Sequence, residues 1–110
     1  MSPKIWNEDR NTVLYWIIVH KGFSVTDDSS LTNKQISRGL GNVNSSSLDM
    51  MARHIKAHLF RIDLYGSSSR GSKNLKELVD RYRTDMRELR NDANMIAKLN
   101  GWYDDLKDFL

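Results

Sequence analysis

His54 and His58 stand four residues apart, the spacing at which a helix turns two imidazoles to one side. Such a pair chelates a divalent metal when further ligands converge on it. The chain has no cysteine, and only His20 and scattered carboxylates remain to complete a coordination shell. Solvated or half-buried imidazoles are therefore the expected outcome, with no metal site. Asp27-Asp28 and Asp104-Asp105 are adjacent pairs, whose carboxylates diverge rather than share a proton as a catalytic dyad does. Ser67 to Ser69 have no partnered base to activate a hydroxyl. No catalytic constellation, cofactor or small-molecule substrate is expected, and the chain is taken as a non-enzymatic protein.

The remaining chemistry is charge. The net charge is +3 over 110 residues, and its distribution matters more than its size. Arg53, Lys56, Arg61, Arg70 and Lys73 face Asp63 alone over residues 53–73, whereas residues 75–110 are close to balanced. An anionic partner would be sought first in the middle of the chain.

Helices must position these residues. A single proline, Pro3, leaves the interior free for helix, and strand-type alternation is hard to find. The chain is expected to be all-α and of a size for one core. Without cysteine it needs neither disulfide nor thiolate zinc, which fits an intracellular setting. Met1–Asn7 has no apolar region of a secretory leader, and Val13–Val19 is far short of the ~20 residues that span a bilayer, so no membrane partner is expected.

The first helix is expected over about residues 7–20, with Glu8 and Asp9 in its first turn and Gly22 as its stop. Val13, Leu14, Ile17 and Ile18 form one stripe, and Tyr15, Trp16 and Val19 form a second. A helix apolar on two sides is covered on two sides. Thr32 and Gln35 resemble a capping box for a short second helix over 33–40, which Gly41-Asn42 ends. A third helix is expected over 48–64, with Ser46 as N-cap and Leu48, Met51, Ala52, Ile55, Leu59 and Ile62 on its inner face. Its other face mixes Arg53, Lys56 and Arg61 with Met50, Ala57, Phe60 and Leu64.

Residues 66–74 form a small, polar, basic linker. Beyond it the spacing predicts one long helix over 75–99. Leu75, Val79, Tyr82, Met86, Leu89, Ala93 and Ile96 alternate by four and three as heptad positions, suited to a coiled coil or to packing on the domain. A short last helix over 102–110 would offer Trp102, Leu106 and Phe109.

Trp6, Asp9, Leu14, Ile18, Gly22 and the segment Lys34–Gly41 bear a family resemblance. Over residues 6–64 the chain resembles the Myb/SANT helix-turn-helix family, although its second helix holds no Trp. The resemblance implies a three-helix head over 1–65 and a nuclear, DNA-binding or chromatin-associated role. The helix-turn-helix-plus-long-helix plan is also that of phage small terminases. On this reading Arg53, Lys56, Ala57, Phe60 and Arg61 would enter the major groove of duplex DNA. Lys34 and Arg38, with Arg70 and Lys73 in the linker, would clamp phosphates. The long helix would mediate a homodimer or bind a protein partner. The alternative is a scaffold or adaptor that recruits another protein through that helix and the Trp102–Leu110 tail.

Overall fold

A computed structural model describes residues 7–21, 31–60 and 72–110, and all regular secondary structure among them is helical. In chain order the helices are α1 (Glu8–Lys21), α2 (Leu31–Gly39), α3 (Ser45–Phe60), α4 (Ser72–Arg83), α5 (Met86–Leu99) and α6 (Tyr103–Leu106).

The Asn7 side chain accepts the Arg10 N–H at 2.9 Å and so opens α1. Glu8 and Asp9 follow in the first turn, and His20 and Lys21 occupy the last, each complementing the helix dipole. Every residue from Thr12 to Ile18 is buried. Thr12 returns its hydroxyl to the Glu8 carbonyl at 2.8 Å. α1 packs against α3, α4 and α5, which explains burial on all sides.

The second stripe of α1 is covered by the C-terminal half. The Tyr15 hydroxyl donates to the Val79 carbonyl at 3.2 Å, and its ring meets Tyr82 edge-on at 6.4 Å between centroids. The Trp16 indole N–H donates to the backbone oxygen of Leu110 at 2.9 Å. One buried cluster runs from Val13 through Ile36, Ile55, Val79 and Leu89 to Leu106, so the N-terminal and C-terminal segments share a core.

The long helix over 75–99 is corrected to two. The break falls at Thr84 and Asp85, where the Asp85 carboxylate accepts the Glu88 N–H at 3.0 Å as N-cap of α5. Asp85 therefore starts a helix. The heptad row folds back on itself: Leu75, Val79, Tyr82, Leu89 and Ala93 are buried, with Met86 and Ile96 half-buried against the same core.

α5 ends in a Schellman turn. Trp102 N–H reaches the Ala97 carbonyl at 2.8 Å, Gly101 N–H reaches Lys98 at 3.3 Å, and Gly101 takes φ 76°. The turn returns Trp102 and Leu106 to the core and lays α6 against α2. A Cβ on Gly39 would run into the Leu106 side chain, so any larger residue there requires Leu106 to move. No helix among the described residues is long and apolar enough to cross a membrane.

Candidate nucleic-acid interface

α2 and α3 pack on each other through a short reversal of the chain. Gly41 at φ 87° and Asn42 at φ 62° take the left-handed conformation in succession, and the Val43 N–H returns to the Ser37 carbonyl at 3.0 Å. Asn and Gly are the residues that tolerate this backbone. Asn44 then opens α3: its side chain accepts the Ser46 N–H at 2.8 Å, and its carbonyl accepts the Leu48 N–H at 2.9 Å. α3 thus begins one turn earlier than the sequence suggested, and Ser46 lies inside it rather than at its cap.

Leu48, Ala52 and Ile55 bury the inner face of α3. Ser46, Met50 and Arg53 lie on its exposed side, and Met50 is 61% exposed, unusual for a large apolar residue. The Arg53 guanidinium projects to solvent and lies 3.2 Å from the Asp49 carboxylate one turn back. Lys34 and Arg38 are exposed one turn apart on α2. Lys56 is half-buried. Ala57 is 7% exposed, which corrects the expectation that it faces outward into a groove. Phe60 ends α3, and Lys73 lies in the first turn of α4, but their side chains fall outside the described residues, as do Arg61 and Arg70 altogether.

The heptad row and tail proposed as a partner surface are largely interior. Trp102 and Leu106 are buried and Phe109 is half-buried against them. The large apolar side chains exposed among the described residues are Met50, Met95 and Leu99. His54 and His58 are both half-buried, and no group of three or more His, Cys, Asp or Glu among the described residues could hold a metal ion.

Other arginines have structural duties that sequence reasoning missed. Arg10 donates from Nε to the Leu40 carbonyl at 2.7 Å just past the end of α2, and its guanidinium lies 5.4 Å from the Trp102 ring centroid. Arg83 donates to the carbonyls of His58 and Leu59, each at 2.7 Å, at the end of α3. Both cations sit where a helix presents unpaired carbonyls and the negative end of its dipole. No local signal marks them, because each meets a carbonyl at least 24 residues away in sequence. Arg81 pairs with Glu8 at 2.6 Å across the α1–α4 contact.

The Asp105 side chain lies beside Gly39, close to the C-terminal end of α2. No protein-family model, curated protein or solved structure matches the chain.

Proposed function

We propose that the chain is a non-catalytic helix-turn-helix module that binds duplex DNA through the α2–turn–α3 unit. The observation that carries this reading is the division of labour among the cations. Arg10 and Arg83 are held at helix ends, while Lys34 and Arg38 extend into solvent from α2 and Arg53 from α3, where it pairs with Asp49 as Arg81 pairs with Glu8. Exposed bases on such a unit suit phosphate positioning, and the outer residues at the start of α3 suit contact with base edges. Met50 and Ser46 add apolar and hydroxyl groups to that row. The expectation of a Myb/SANT-like, chromatin-associated role in a nucleus accords with this reading and rests on the resemblance alone.

The adaptor alternative has less support, because the surfaces it named are in the core. An anisotropy titration of a labelled duplex at 50 and 200 mM salt tests the proposal. For three phosphate contacts the affinity should fall roughly 40-fold between those conditions. Absence of any affinity at the lower salt refutes it.

A further inference from the structure

Little in the chain compels the elbow between α4 and α5. No glycine or proline lies between Asn74 and Asn100, and the four-three apolar row from Leu75 to Ile96 runs straight through it. Asp85 leaves the helical conformation there, at φ −140° and ψ 76°. Its carboxylate caps Glu88, and its own N–H returns to the Tyr82 carbonyl at 3.0 Å. Thr84 and Asp85 are both exposed, so neither is wedged into the bend by packing. What bends the chain is the burial of α5, whose Leu89, Ala93 and Ala97 enter the core and which lies on α1 more extensively than on α4. The α1 of a second copy offers the same surface.

We propose that two copies of the chain exchange α5 and α6, with α4 and α5 joined in the exchanged dimer as one continuous helix from Ser72 to Leu99. Straightening extends the helix through Thr84 and Asp85, and the 14 residues of α5 then project about 20 Å beyond α4. At that distance α5 no longer reaches its own α1, and Leu89, Ala93 and Ala97 are covered by α1 of the second copy. Contacts made across the elbow within one chain are remade between two: Tyr82 with Asp92, Trp16 with Leu110, and Asn100 with Asp9 at 3.4 Å. The Glu8–Arg81 pair stays within each chain, because α1 and α4 remain together. Exchange costs the entropy of association and recovers the helix lost at the elbow, so concentration decides between the two forms. The pairing of α2 with α3 is not disturbed, and the dimer carries two such units.

The test needs no nucleic acid, so its outcome is separate from that of the binding proposal. Light scattering of the full chain, refolded from urea at a low and at a hundredfold higher concentration, should show a dimer that grows with concentration. Asp85→Ala removes the cap that favours the bend and should raise the dimer fraction several-fold. Two glycines inserted between Thr84 and Asp85 should hold the chain monomeric, since a longer hinge relieves the bend. The absence of native cysteine allows the exchange to be mapped directly. Asp9→Cys chains refolded together with Asn100→Cys chains should be joined by a short bismaleimide, whereas mixed Glu8→Cys and Arg81→Cys chains should not. A parent and an Asp85→Ala variant that both stay monomeric at the higher concentration overturn the exchange. So does a dimer in which the Asp9→Cys and Asn100→Cys chains fail to join, or in which both mixtures join equally.

Discussion

The Tyr82 hydroxyl donates to the Asp92 carboxylate at 2.6 Å across the elbow between α4 and α5. The two residues are ten apart in sequence, and an uninterrupted helix would separate them by about 15 Å along its axis. Their contact therefore depends on the break at Thr84-Asp85. Folding the heptad row at that point lets Tyr82 and Leu89 enter one core with Tyr15 of α1.

Replacing Tyr82 by Phe should cost about 1–2 kcal/mol in urea unfolding, because it removes a bond to a carboxylate that is half-buried. The same phenol gives an alkaline signature. Burial, then the Asp92 hydrogen bond and charge, push its pKa from 10.0 up to about 12. The folded state retains the proton longer than the unfolded chain, so its contribution is complete below pH 10 and declines between 10 and 12. Ultraviolet titration should show a phenol ionising late, and an ordinary midpoint for all four tyrosines would refute the assignment.

Much of this fold was legible in spacing. The two apolar stripes of α1 announced burial on both sides, and Gly41-Asn42 marked the end of α2. The elbow was missed because the four-three alternation from Leu75 to Ile96 continues through it unbroken, while the local cue, Asp85 followed by Glu88 at capping-box spacing, is easily taken for a surface charge pattern. Of the site, the exposure of Lys34, Arg38 and Arg53 followed from their charge. The interior position of Ala57 and the capping roles of Arg10 and Arg83 did not, since they depend on which distant helix arrives to cover or be covered.

The cap at the elbow predicts a modest, specific loss. Asp85→Ala should destabilise the chain by about 1 kcal/mol, since the Glu88 N–H loses its acceptor. Asp85→Asn or Asp85→Ser should restore most of it. Equal stability of the alanine variant and the parent would show that the cap does not hold the elbow. Leu89→Asp, by contrast, places a charge at a fully buried position and should unfold the domain, with loss of circular-dichroism helicity rather than a change of oligomeric state.

Gly39→Ala sets helix propensity against packing. An exposed helix interior would gain up to about 1 kcal/mol from this change. At α2 the new methyl meets Leu106 side-chain atoms, and α6 must shift to admit it. A net loss of about 1–3 kcal/mol is expected from such overpacking. A paired Leu106→Ala should recover part of the loss, through coupling between residues in contact. A stabilised Gly39→Ala variant would mean that α6 does not rest on α2 in solution.

The sharpest test separates two kinds of arginine. Arg83→Ala leaves the His58 and Leu59 carbonyls without their cation, and Arg10→Ala does the same at Leu40. Each should cost about 2 kcal/mol of stability, with Arg83→Lys less harmful but unable to reproduce the two-pronged contact. The combined variant Lys34→Ala/Arg38→Ala/Arg53→Ala removes exposed side chains, one of them paired with the half-buried Asp49 carboxylate. Its stability should stay within about 0.5 kcal/mol per position, because surface changes away from special contacts have small effects. Its duplex affinity should nevertheless collapse, and the salt dependence should flatten by nearly one log unit per lost phosphate contact. If the triple variant binds with the parent's affinity and salt slope, the α2–turn–α3 unit is not the interface. If it unfolds, the exposed cations carry a structural load that their solvent positions give no reason to assign.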